Sequence, residues 1–106
     1  MSFTEQESGF QAVSIDQKMC SIEKSEIIEI KAYTEDLATI DERRISFSTA
    51  SGEIKIFSEE EPGWEALLSW VTSWASLPEG WVSSAFPEAF SRKVTTIWQS
   101  NTYKLD

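Results

Sequence analysis

Apolar and polar residues alternate along the first half of the chain and change to a helical spacing after residue 60. In Phe10 to Asp16, Val13 and Ile15 alternate with Ser14 and Asp16, the pattern of a half-buried strand. Asp16-Gln17 turns the chain into a second strand, Lys18 to Glu23, with Cys20 and Ile22 on one face. In Ser25 to Tyr33, Ile28, Ile30 and Ala32 share one face, and Glu29, Lys31 and Tyr33 share the other. The β-branched residues there favour a strand over a helix. Thr34 to Leu37 reads as a polar connection. Ala38 to Ser48 ends in an alternation of Ile45 and Phe47 with Arg44 and Ser46. Ala50-Ser51-Gly52 is the strongest hairpin turn, and Glu53 to Phe57 pairs back with Ile54 and Ile56 inward.

The period then changes. From Trp64 the apolar residues fall at 64, 67, 68, 71, 74 and 75, and Trp70 lies beside Trp74. The stripe covers about 160° of a helical cylinder, so an amphipathic helix is expected over 62–77, packed on the sheet. Pro62 is expected at its first position, and Glu59, Glu60 and Glu61 set negative charge against the positive end of its dipole. Leu68 and Val71 belong to the buried stripe, whereas Glu65, Ser69, Thr72, Ser73 and Ser76 occupy the other side. Leu77-Pro78-Glu79-Gly80 stops the helix. Trp81 to Phe90 reads as a short apolar turn or helical piece broken at Pro87. Arg92 to Gln99 has strand composition, at a sheet edge or along the helix. The polar ends, 1–9 and 101–106, are expected to be flexible.

Strands first and one long helix afterwards is an α+β order. The expected fold is a single domain, 1–106, with a bent antiparallel sheet of four to six strands packed by the helix at 62–77 and closed by a short C-terminal strand or helix. That is a pleckstrin-homology-like layout. Among 106 residues, 41% are apolar, enough for one core.

Charge narrows the function. The net charge is −9, and it is unevenly placed: residues 1–61 carry 14 Asp and Glu against 6 Lys and Arg, residues 62–106 only 4 against 3. Nucleic acid and anionic membranes are repelled by such a chain, and a basic protein is attracted. The chain has no histidine, which removes Ser-His-Asp and Cys-His catalysis and the commonest metal ligand. The lone Cys20 excludes an internal disulfide and reads as a small buried hydrophobe. The four glycines, at 9, 52, 63 and 80, make no phosphate-binding loop. No apolar run is long enough for a membrane span. The expectation is a cytoplasmic, non-enzymatic binding protein with no cofactor and no metal. Its binding surface is assigned to the carboxylates of the sheet side: Glu26, Glu29, Glu35, Asp36, Asp41, Glu42, Glu53, Glu59 and Glu60. Aromatics near Trp81, Phe86 and Trp98, taken as exposed, form the second candidate surface.

The segments IDERRISFSTASGEIKIFSEEEPGWEALLSWV and LPEGWVSSAFPEAFSRKVTTIW carry a strand pair, an E-E-x-P-G-[WF] helix start, an L-P-x-G-W turn, a P-x-[FA] segment and a terminal T-x-x-W. Over Lys24 to Trp98 this resembles small acidic bacterial immunity proteins of toxin–immunity systems of the contact-dependent growth inhibition type. The resemblance implies binding and inhibition of a cognate basic toxin, a ribonuclease domain, as a monomer or a 1:1 heterodimer with it. It transfers no contact residue. An acidic chaperone or adaptor of a secretion system is the alternative.

Overall fold

The computed structural model describes residues 3–36, 41–86 and 94–100. Their elements run β1 (Phe3–Gln6), β2 (Gly9–Val13), β3 (Met19–Glu23), β4 (Ile27–Asp36), β5 (Asp41–Thr49), β6 (Ile54–Ser58), α1 (Trp64–Trp74), α2 (Trp81–Ala85) and β7 (Val94–Gln99). The fold is α+β with two antiparallel sheets, one ordered β1-β2-β3 and the other β6-β5-β4-β7. The expected single sheet is therefore two. They are tied where Ile15 N–H donates to the Ile56 carbonyl at 3.0 Å, outside either ladder.

Both sheets and α1 meet in one aromatic core. Phe10 of β2 is fully buried between Phe3, Phe47, Phe57 and Trp70, with centroid separations of 4.7 to 5.7 Å. One ring thus touches two other strands of the fold's facing sheet, its own neighbour β1, and the helix. Edge-to-face packing of this kind adds to the area each ring removes from water.

Several expectations about faces change. Phe3–Gln6, expected to be flexible, pairs with β2 as a strand, because Phe3 stacks on Phe10 and draws the polar segment into register. A bulge between Ile27 and Glu29 shifts the phase of β4, so Ile27 is buried with Ile30 and Ala32 while Ile28 is only half-buried. Thr34 to Asp36 continues β4 rather than forming a connection. In β6 the inward residue is Phe57, paired with buried Ile45; Ile54 is 62% exposed and Ile56 half-buried. A one-residue difference of phase moves every side chain of a strand to the opposite face. Here a fully buried phenyl ring outweighs two isoleucines. Cys20 is half-buried beside the core, and burial pushes its thiol pKa up.

The helix is shorter than 62–77. Gly63, with φ +94°, is its N-cap, so Pro62 precedes the helix. Glu59, Glu60 and Glu61 stand before it in a turn, where Glu59 accepts from the Arg43 N–H and Glu61 from the Gln17 side-chain amide, each at 2.8 Å. Trp64, Leu67, Trp70 and Val71 are buried; Leu68 and Trp74 are partly buried against the core. At the other end Leu77 N–H donates to the Thr72 carbonyl and Ser76 N–H to that of Ser73, with Ser76 at φ +54°. This is a Schellman motif with serine where glycine is usual. Ser76→Gly is expected to raise the unfolding free energy by about 0.5–1 kcal/mol, by relieving the left-handed strain; a lower melting midpoint for the variant would contradict it.

The indole Nε1–H of Trp81 donates to Thr72 Oγ1 at 2.7 Å, and that hydroxyl donates to the Leu68 carbonyl. The relay seats α2 on α1 and buries Trp81. Trp64 and Phe86 pack together, and Trp98 of β7 lies 4.6 Å from Trp74. β7 returns after the helices to pair with β4, so α1 is internal to the chain order. Of the expected strand at 92–99, Val94–Gln99 form β7; residues 37–40, 87–93 and 101–106 lie outside the described residues. No helix among the described residues is long and apolar enough to cross a membrane.

Candidate interaction surface

The nine carboxylates assigned from the sequence divide between the two ends of the four-stranded sheet. β4 is ten residues long, which places its ends roughly 30 Å apart. Pairing sets Glu35 opposite Glu42 and Asp36 opposite Asp41 at one end. Glu59 joins them, since its carboxylate and its N–H both bond the Arg43 backbone, and Glu60 follows in the same turn. Glu26 and Glu53 are at the other end, beside the Ala50 turn, where Ala50 N–H donates to the Glu26 carbonyl. Glu29 lies on the outward face of β4. The side chain of Asp36 lies outside the described residues.

Cations answer several of these charges. Arg44 Nε donates to Glu42 Oε1 at 2.7 Å, and its Nη1 lies 3.8 Å from Glu35. Glu42 is 8% exposed, so this pair is largely desolvated, and removing Arg44 would leave a buried charge alone. Lys31 is 3.6 Å from Glu29 and Lys55 is 3.8 Å from Glu53; both are partly solvated, long pairs of the kind that contribute little. Burial is the largest single influence on Arg44 and lowers its pKa, but the Glu42 hydrogen bond and the charges of Glu42, Tyr33 and Glu35 together outweigh it and hold the guanidinium above its ordinary value. Opposite Arg44 in the ladder is Tyr33, whose phenol is pushed up by burial against the opposing pull of Arg44.

Because the folded pKa of Tyr33 is raised, the protonated phenol is favoured in the native state. That contribution is complete below the unfolded tyrosine pKa, near 10, and is lost as pH rises through the folded value. In a Tyr103→Phe background, the phenolate absorption of Tyr33 is expected to titrate above that of free tyrosine and to fall into line with it in denaturant. Equal midpoints in both states would contradict the burial of this ring.

A different set of carboxylates is left unanswered. No ion pair or side-chain hydrogen bond engages Glu5, Glu7, Glu23 or Glu26 among the described residues. All four are exposed. They surround the β1–β2 turn and the end of β3, where Gly9 pairs with Glu23 and Lys24 N–H donates to the Ser8 carbonyl. Between β1 and α1 is an open groove of about 520 Å³, and of these four carboxylates only Glu5 lines it. Its floor is Phe3, Trp70 and Trp74, its helical wall carries Ser69 and Ser73, and Glu5 and Lys24 stand on the rim. Of these carboxylates the sequence assignment included only Glu26. The signal that was available is the polar side of α1 read together with Phe3, two features far apart in the chain.

The second candidate surface does not exist as expected. Trp81 and Phe86 are buried, and Trp98 packs partly buried against Trp74. Arg43 lies over the Phe86 ring, 5.5 Å from its centroid, a cation–π contact at the edge of the core. Among the described residues no group of three or more acidic or thiol side chains gathers in a metal-binding arrangement. Compared with known protein families, curated proteins and solved structures, the chain shows no match.

Proposed function

We propose that this chain is a non-enzymatic binding protein that inhibits a basic partner, in the manner of an immunity protein that blocks the ribonuclease domain of a cognate toxin. The observation that carries this reading is the crowding of charge at one end of the four-stranded sheet. Glu35, Asp36, Asp41 and Glu42 come from the facing strand ends, and Glu59, Glu60 and Glu61 from the turn after β6; among the described residues of these segments only Arg43 and Arg44 oppose these seven. A surface with that balance suits the Lys and Arg of a nuclease cleft, which would otherwise hold substrate phosphates. Occlusion is then the mechanism, in the cytoplasm, as a 1:1 complex. Steering by opposite charge speeds encounter, which matters when the target is an enzyme already inside the cell. For the architecture, the two antiparallel sheets crossed by a helix support a pleckstrin-homology-like reading of the layers, which by itself implies no activity.

The test is binding to the protein encoded beside this chain's gene, purified as its basic C-terminal domain. Association is expected to slow at least about tenfold between low and high salt, with dissociation changing less. Changing Glu35, Asp41 and Glu60 together to lysine should slow association by a similar factor, with circular dichroism unchanged. Glu42 is left in place because it is buried beside Arg44. Ribonuclease activity that persists in a stoichiometric mixture, or binding indifferent to both salt and the reversals, would reject the reading.

A further inference from the structure

We propose that the edge strand β7 pairs with β7 of a second copy of this chain, antiparallel about a two-fold axis at Thr95, so that two four-stranded sheets join edge to edge. This goes beyond the function proposed above: the partner is the chain itself, and the contact requires no toxin.

The four-stranded sheet has its edges at β6 and β7. The β6 edge is met by the Ile15 N–H, which donates to the Ile56 carbonyl. Among the described residues, no strand other than β4 pairs with β7. Natural edge strands are kept from pairing by charge, by proline or by a bulge. Val94–Gln99 holds neither charge nor proline. It is a six-residue run of four β-branched side chains, a tryptophan and a glutamine, the kind of composition that pairs with itself. Its protection is the bulge that leaves Ile97 between the Lys31–Thr96 and Ile30–Trp98 pairs. A bulge bends the strand, which confines a new ladder to the regular stretch from Val94 to Thr96.

Charge favours a like copy at this edge and nowhere else. With a net charge of −9, two chains repel over most of their surface. Along β7 no like charges meet, and on the neighbouring strand Lys31 is already paired with Glu29 at 3.6 Å. A basic protein finds nothing on this strand to attract it.

The hydroxyl of Thr95 fixes the register. Thr95 stands opposite fully buried Ala32, and its Oγ1 is a buried side-chain oxygen without a hydrogen-bond partner among the described residues. Such a group costs stability until it is satisfied. Thr95 is half-buried as a residue, and one rotation about χ1, between wells that threonine populates, carries the hydroxyl to its open side. In a two-fold contact, residues meet their own images or exchange places. An axis at Thr95 sets Thr95 against Thr95, where cross-strand threonines bond each other. The same axis sets Val94, which is 56% exposed, beside exposed Thr96 on the outer face. One placement thus satisfies the hydroxyl and covers the exposed valine.

The experiment is sedimentation equilibrium and backbone amide spectra of the full chain from about 10 μM to about 1 mM, at low and high salt. A Kd of roughly 100 μM is expected, because so short a ladder lies at the weak end of specific contacts. The amides of Val94, Thr95 and Thr96 should shift with concentration. Salt should tighten the dimer by screening the repulsion between two anionic chains. Salt weakens capture of a basic protein, so either proposal can fail without the other. Thr96→Lys, at an exposed site, should weaken association at least about tenfold by charging the edge. Thr95→Val keeps the branched shape and removes the hydroxyl. It should weaken association about tenfold without lowering the monomer's melting midpoint, since the free chain leaves that hydroxyl unbonded. The two variants are read separately, so one that misfolds leaves the other decisive. A chain that stays monomeric at about 1 mM in high salt overturns the proposal. So does a dimer unaffected by both substitutions, or one whose shifting amides lie away from β7.

Discussion

Phe10→Ala is expected to lower the unfolding free energy by about 3–5 kcal/mol, the largest loss from any single truncation in this protein. The ring is fully buried, and four other rings pack on it from β1, β5, β6 and α1. Removing it forfeits the transfer energy of a phenyl group and opens a cavity at the junction of both sheets and the helix. Those elements cannot close the gap together, because each is held by its own hydrogen bonds. A small domain has about 5–15 kcal/mol in all, so the variant should sit near its unfolding transition at room temperature. Phe3→Ala is the control: Phe3 is partly buried and stacks on Phe10 from one side only, and should cost less than half as much. Denaturant melts followed by tryptophan fluorescence decide the matter. A Phe10→Ala midpoint close to that of the parent would mean the core is not centred on this ring.

Gly9→Ala should rival it by an opposite route. A Cβ at Gly9 would lie 1.8 Å from the Ile22 carbonyl oxygen, 2.8 Å from its carbon and 3.1 Å from the Glu23 Cα. All three atoms belong to the β3 backbone, which cannot turn aside as a flexible side chain would. Either the β2–β3 ladder parts at this point or the turn before it is rebuilt, at a cost of about 3 kcal/mol or more. Gly52→Ala offers the comparison. Gly52 has open space around it but sits at φ +94°, so only the left-handed strain of about 1 kcal/mol is expected. If the two substitutions cost the same, close approach is not what Gly9 provides.

The groove between β1 and α1 depends on these same contacts. Phe3 reaches it only because β1 pairs with β2, and Gly9 lets that hairpin approach β3. Loss of Gly9 should therefore distort the groove along with lowering stability. The charged end at Glu35 and Glu59 is built from β4, β5 and the turn after β6, with its own ladder, and should retain its salt-dependent binding longer in mild denaturant.

Local patterning was enough to reveal the type of most elements. Alternation over 10–16, 18–23 and 44–48 gives strands because one face of each must be dry, and the recurrence of apolar residues from Trp64 gives a helix for the same reason. The turns at Asp16-Gln17 and Ala50 to Gly52 follow from residues that tolerate bent backbone; Gln17 indeed adopts φ +68°. Net charge is likewise a property of the chain alone, whatever its conformation.

Phase, partnership and exposure were decided only in three dimensions. Ile54 and Ile56 alternate as well as Phe57 does with its neighbours, and only the register against β5 determines which set meets the core. Residues 3–6 have no strand pattern of their own, and Phe3 becomes ordered because Phe10 supplies a ring to stack on. For the same reason the sequence could rank carboxylates by number but not by freedom. Glu42 and Glu35 are answered by Arg44, whereas Glu5, Glu7 and Glu23 face solvent with no ion pair among the described residues. A charge is visible in one residue; whether it is neutralised depends on a neighbour that folding brings within about 4 Å.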